Sequence, residues 1–117
     1  MKLYIAVAED FPDHMVPVLV AHTVLNADNQ FKNKTSYRLW KTHHFKKVVV
    51  KVSRPAFEKI LALDYVAVGG ESSVMNGEVS CAIVLPYYSD SDVPNVLRQA
   101  RLWKPGGRSS AVQSKPT

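Results

Sequence analysis

The chain has 117 residues, 46% of them apolar, with 15 Lys+Arg against 10 Asp+Glu and a formal net charge of +5. That length suits one domain with a real core, and that apolar content excludes a disordered chain. The absence of an apolar run near 20 residues excludes a membrane-spanning helix, and the single cysteine, Cys81, excludes an internal disulfide and a Cys-based zinc site. A reducing, cytoplasmic setting is the simplest expectation.

Residues 3–8 read as a first strand rather than a signal peptide. Leu3, Ile5 and Val7 share one face and Tyr4, Ala6 and Ala8 the other. Both sets are largely apolar, which predicts a central strand covered on both sides. Asp13 follows a turn and suits a helix N-cap, and Pro17 is tolerated near the first helical turn. The spacing predicts a helix over 15–27. Val16, Leu19, Val20, Val24 and Ala27 form one stripe, and Met15, Val18, His22 and Leu25 form a second. A helix apolar on two sides is either sandwiched in the core or covered by a second copy, so a homodimer through this helix is one expectation.

Residues 26–34 read as a polar loop and 36–41 as a short helix carrying Tyr37, Leu39 and Trp40. Residues 45–52 are the strongest predicted strand, centred on Val48, Val49 and Val50. Ser53 reads as an N-cap, with Pro55 near the helix start, Phe57, Ile60 and Leu61 buried, and the helix ending near Asp64. Residues 65–68 form a third predicted strand, 71–77 a loop, and 79–85 a fourth strand. Ser89, Asp90 and Ser91 offer caps for a last helix with Val93, Val96, Leu97, Ala100 and Leu102 inward.

The expected architecture is α/β: a single-domain, three-layer sandwich over residues 1–103. Its four-stranded sheet is mixed and mostly parallel, with helices on both faces. Residues 104–117 read as a flexible basic tail, with Pro105, Gly106 and Gly107 at its start and Arg108 and Lys115 within it.

Several residues have chemistry to offer. Between Gln30 and Pro55 lie Lys32, Lys34, Arg38, Lys41, Lys46, Lys47, Lys51 and Arg54 without an acid among them. Such a block attracts phosphates or an acidic partner; the alternative is a solvated face neutralised by acids elsewhere in the fold. Gly69-Gly70 lets a backbone approach a phosphate, or else ends a strand in a turn that needs positive φ. Trp40, Tyr87 and Tyr88 are stacking candidates for bases, or core and rim residues. His43-His44 lack a third ligand at metal-binding spacing, and no metal or cofactor is expected. Cys81, mid-strand between apolar neighbours, reads as an inert core residue.

The order of short motifs resembles the type 2 peptidyl-tRNA hydrolases. That family opens with a strand, an acidic-apolar pair and a helix bearing an Ala/Ser-His pair. Here these are Ile5-Ala6-Val7-Ala8-Glu9-Asp10-Phe11 and Val20-Ala21-His22-Thr23. Its tryptophan and Lys-Val-Val-Val-Lys strand match Trp40 and Lys47-Val48-Val49-Val50-Lys51. Its closing segments match Gly77-Glu78-Val79-Ser80, Pro86 and Ala100-Arg101-Leu102-Trp103. The likeness runs from about Leu3 to Trp103.

The resemblance implies cleavage of the ester between peptide and tRNA without a metal, by a lysine at the start of the first helix and an aspartate after the third strand. The sequence departs at both places. The lysine position falls on Met15 or within a turn shortened by about two residues, Leu19 replaces a glutamine, and Val68-Gly69-Gly70-Glu71 replaces the Asp-Ala-Gly turn. Loss of a polarising cation and an acid–base carboxylate each costs orders of magnitude in rate. The implied function is therefore a catalytically degenerate relative that binds RNA, tRNA or a nucleotide-like small molecule and sequesters it, as a virus-encoded antagonist of host defence would. Its binding residues would be His22, Gly69, Gly70, Ser72, Ser73, Lys41, Lys46 and Lys47. The alternatives are an active hydrolase using His22, Ser80 and Glu71, and a homodimeric interaction module. Against those roles, His22 can also be a helix histidine satisfied by a carbonyl, and Glu71 a solvated loop acid.

Overall fold

A computed structural model of the chain describes residues 1–106. The expected tail at 104–117 therefore lies largely outside the described residues. The elements are β1 (Leu3–Ala8), a 3₁₀ turn (Asp13–Met15), α1 (Val16–Phe31), α2 (Thr35–Leu39) running into a π-helical turn (Trp40–His44), β2 (Lys47–Val52), α3 (Arg54–Leu61), β3 (Val66–Gly69), β4 (Cys81–Val84), α4 (Asn95–Arg98) and β5 (Arg101–Leu102). Two more 3₁₀ turns, Met75–Gly77 and Asp90–Asp92, sit in the loops that flank β4.

The sheet has five strands rather than four, in the order β3-β4-β1-β2-β5. It is mixed, but it is not mostly parallel. Among the described residues only β1 and β2 pair in parallel, from Leu3 opposite Lys47 to Ala8 opposite Val52. The β1–β4, β2–β5 and β3–β4 pairs are antiparallel. The physical reason lies in the connections. Residues 9–46 hold α1 and α2, enough chain to cross over and re-enter in parallel. Residues 70–80 hold no crossover helix, so β4 folds back beside β3 and slides between it and β1.

β1 is buried along its whole length, as its two apolar faces require. Leu3, Ile5 and Val7 pack with Leu19, Ala27 and Phe31 of α1 and with Tyr37 and Trp40. Tyr4, Ala6 and Ala8 pack on the opposite face with Phe57 and Ile60 of α3 and Leu97 of α4. These are the two cores of a three-layer domain.

Several boundaries move for identifiable reasons. α1 runs through the stretch expected to be a polar loop, to Phe31. Its polar residues have work there: Asn26 donates to Val68 O at 3.1 Å and Gln30 to Val66 O at 3.1 Å. Those carbonyls belong to β3, the sheet edge, so the helix caps the edge that would otherwise stay open. Asp13 is not an N-cap; α1 starts without a side-chain cap and Asp13 bonds elsewhere. β2 begins at Lys47 because Phe45 closes the π-helical turn with φ 62°, its ring stacked on Trp40. Ser53 does cap α3, its hydroxyl accepting from Ala56 N. The last helix shrinks to Asn95–Arg98. Pro94 sits in extended backbone just before it, and Ser89 caps only the 3₁₀ turn. Leu102, expected inward on that helix, is on the edge strand β5 and 62% exposed. Cys81 is buried, and burial pushes its thiol up to about 12.

Candidate functional site

The chain leaves β1 toward α1 on one face of the sheet and leaves β2 toward α3 on the other. Two adjacent parallel strands whose continuations part in this way open a crevice at their C-terminal ends, the usual ligand position in α/β sheets. A cleft of about 590 Å³ lies there, lined among others by Glu9, Lys51, Ser53, Lys59, Asn95, Gln99 and Arg101. A second hollow of about 360 Å³ adjoins it, lined by Lys51, Arg101, Leu102 and Lys104. Both are cation-rich, and Glu9 is the only acid in either lining; it reaches Arg101 at 3.8 Å.

Two ion pairs shape this end of the molecule. Arg54, first residue of α3, donates to both Asp10 carboxylate oxygens at 3.1 and 2.7 Å. It also donates to Val79 O at 2.8 Å and to Ser80 Oγ at 3.3 Å, with Glu78 at 3.7 Å. One guanidinium thus ties the turn after β1, the start of α3 and the entry to β4 together. The hydrogen bond to Asp10 raises its already high pKa further. Lys51, whose side chain is only 5% exposed, donates to Asp13 Oδ1 at 3.4 Å and to Lys104 O at 3.1 Å. Its ammonium also lies 5.5 Å from the centre of the Trp103 ring. Asp13 in turn accepts from Gly106 N–H, so this pair fastens the segment after β5 to the turn before α1.

His22 and Glu71 meet on the outer side of α1. His22 Nε2 lies 2.8 Å from Glu71 Oε1. The other carboxylate oxygen accepts from Ser73 Oγ at 2.6 Å and Ser73 N at 3.1 Å. These donors, the Ser73 hydroxyl and amide first and His22 after them, hold the Glu71 carboxyl below the usual glutamate range. An ionised Glu71 accepts only, so Nε2 carries the hydrogen, and in the neutral ring Nδ1 is the acceptor. Chemically this is an oriented base. Among the described residues no lysine or arginine bonds to either member. At the position where the resemblance would put a lysine, Met15 packs partly buried against the core.

The other candidates fall into place one by one. Ser80 is fully buried; its hydroxyl donates to Glu78 O at 3.1 Å and accepts from Arg54, so it is not beside His22 in any bonded sense. Ser72 is exposed in the loop after β3. Neither Gly69 nor Gly70 has positive φ, which overturns the turn reading of the pair. Both are there for close packing. A Cβ on Gly69 would stand 2.2 Å from Thr23 Oγ1, and one on Gly70 would stand 2.4 Å from Gly77 O.

The basic block does not act as one surface. Lys41 pairs with Asp28 at 2.8 Å, and Lys47 donates to Phe45 O at 2.6 Å. Lys47 opposes Leu3, and Lys46 O accepts from Leu3 N, so both mark the N-terminal end of the parallel strands. Gly69 sits level with Cys81 and Val7, at the C-terminal end and across the sheet. The eight binding residues expected from the sequence are therefore split between two ends of the molecule. Trp40 is core, its indole donating to Lys46 O at 2.7 Å.

Sequence reading missed the cleft itself. Lys51, Lys59 and Arg101 stand on three different elements, β2, α3 and β5, and the antiparallel β2–β5 pairing sets Arg101 opposite Lys51. The one available signal was Lys51, two residues before the capping Ser53, near the end of a strand in a sheet expected to be mostly parallel.

The fold and the cleft define a three-layer α/β domain with a cationic crevice at a switch point of its sheet. Among the described residues no helix is long and apolar enough to cross a membrane. Comparison with protein-family models and with curated proteins finds no match to the chain.

Proposed function

We propose that the chain is a binding protein for a nucleotide-like, phosphate-bearing ligand, which it sequesters rather than converts. We propose further that its scaffold is that of a type 2 peptidyl-tRNA hydrolase whose chemistry has fallen silent. One observation carries the reading: the cleft at the C-terminal ends of β1 and β2 gathers Lys51, Lys59 and Arg101 with the polar groups of Ser53, Asn95 and Gln99. The exposed Arg101 guanidinium and Lys59 ammonium suit phosphate oxygens, with the buried Lys51 adding positive charge behind them, and the amides suit a base or sugar edge. The silent-enzyme part rests on Met15, partly buried against the core, and on a His22–Glu71 pair without a bonded cation among the described residues.

Calorimetric titration with AMP, ATP and a short single-stranded RNA tests this. A mononucleotide is expected to bind, and Arg101→Ala with Lys59→Ala to weaken it by about tenfold or more, the loss of charge-assisted bonds. Binding of RNA alone, with steep salt dependence and sensitivity to Lys46→Ala plus Lys47→Ala, would move the site to the opposite end of the sheet. No binding of either would sink the reading.

The 2.8 Å contact between His22 and Glu71 favours a second reading, residual peptidyl-tRNA hydrolysis with His22 as base. Turnover of peptidyl-tRNA that disappears in His22→Ala would establish it.

A further inference from the structure

At the other end of the molecule, where β3 begins and β4 ends, lies a pocket of about 440 Å³. Its lining includes Asp64, Tyr65, Leu85, Tyr87, Tyr88 and Asp92. It shares no residue with the cationic cleft. Three tyrosines and two carboxylates in one small hollow are unusual in a chain of net charge +5.

The pairing of the acids sets this pocket apart. All ten lie within the described residues. Six of them, Glu9, Asp10, Asp13, Asp28, Glu71 and Glu78, each face a cationic side chain. The remaining four are Glu58, Asp64, Asp90 and Asp92, and two of these line this pocket. Among the described residues neither Asp64 nor Asp92 makes an ion pair. In a molecule with spare cations, two unmatched carboxylates on one aromatic hollow leave a place for positive charge from outside.

The aromatic walls suit the same charge. Tyr65 and Tyr88 are exposed, which leaves ring surface free for a ligand. The Tyr65 ring already accepts an ammonium: Lys34 Nζ stands 4.5 Å from its centroid. A ring face attracts cations through its quadrupole, and more strongly where water is excluded. Tyr87 is part-buried, and burial, together with the nearby charge of Asp64, raises its phenol. Its hydroxyl therefore stays a neutral hydrogen-bond partner at physiological pH.

We propose that this pocket binds an organic cation, an ammonium or guanidinium group held between the tyrosine faces with its charge on Asp64 and Asp92. This site is independent of the phosphate cleft and does not rest on the function proposed for it.

Tyrosine fluorescence or NMR titration of the whole chain with tetramethylammonium, guanidinium and the tripeptide acetyl-Gly-Arg-Gly-amide tests the proposal. Saturable binding of at least one probe, with shifts confined to Tyr65, Tyr87 and Tyr88, is expected. Asp64→Asn with Asp92→Asn is expected to weaken it by about tenfold. Both positions are exposed, so an unchanged thermal unfolding curve shows that the variant folds. Arg101→Ala is expected to leave the affinity unchanged. Tighter binding of the peptide than of the free ions would assign the site to a partner's side chain, and equal binding to a small free cation. Absence of saturable binding, binding indifferent to the paired Asn substitutions, or preferential binding of neutral nucleosides would overturn the proposal.

Discussion

Gly69 lies so close to Thr23 that a methyl group on Gly69 would stand 2.2 Å from the threonine hydroxyl oxygen. Thr23 is fully buried and its hydroxyl donates to Leu19 O at 2.8 Å, so it has little room to retreat. The missing side chain is what lets α1 rest on the end of β3.

Gly69→Ala is accordingly expected to destabilise the chain by about 1–3 kcal/mol, the cost of overpacking a tight contact. Urea denaturation measures it. Removing the clash from the other side, by Thr23→Ala, should make the double variant more stable than the sum of the single losses. Strict additivity would show that the two residues do not meet.

The Lys51–Asp13 pair yields an asymmetric prediction. The lysine is almost fully buried, and the Asp13 side chain is 33% exposed. Asp13→Asn leaves an ammonium in the interior without the carboxylate that faces it. Lys51→Met removes that charge and leaves a carboxylate that water still reaches. The first is expected to cost about 1–3 kcal/mol and the second less, because an uncompensated buried charge costs more than a hydrated one. Denaturation midpoints of the two variants decide the order, and the reverse order would refute the account.

Glu71 offers a pH test. Its folded pKa is depressed, chiefly by the Ser73 hydroxyl and amide, with His22 behind them. A depressed carboxyl stabilises the fold at pH values above its unfolded pKa. That contribution is lost as pH falls through the lower folded value, so the window lies at and below the ordinary glutamate range. Carbon-detected NMR titration of the Glu71 carboxyl should show a larger upward shift in Ser73→Ala than in His22→Ala. The opposite ranking would make the histidine the main partner.

How far the sequence was legible varied from element to element. The doubly apolar pattern of residues 3–8 identified the central strand, because a strand with no polar face has no side to give to water. Ser53 was readable as a cap, since capping is settled within four residues. Cys81 was readable as core from its neighbours. Residues 26–31 were not readable as helix, because Asn26 and Gln30 find their partners on β3, some forty residues away. Glu71 and His22 were both visible as candidates, yet their 2.8 Å contact is a fact of how the loop after β3 folds over α1.

The sequence by itself determined the layers: which residues face inward, where helices alternate with strands, and that apolar and charged residues suffice for a core and a basic surface. Local periodicity and capping carry that information, and they act over a few residues. Only the tertiary structure decided which strands are neighbours. Inserting β4 between β1 and β3 made two antiparallel pairings, and β5 alongside β2 made a third. The β2–β5 pairing set Arg101 opposite Lys51, beside a cleft that Lys59 also lines. A side-chain period names a face but never a neighbour, and binding sites are made of neighbours.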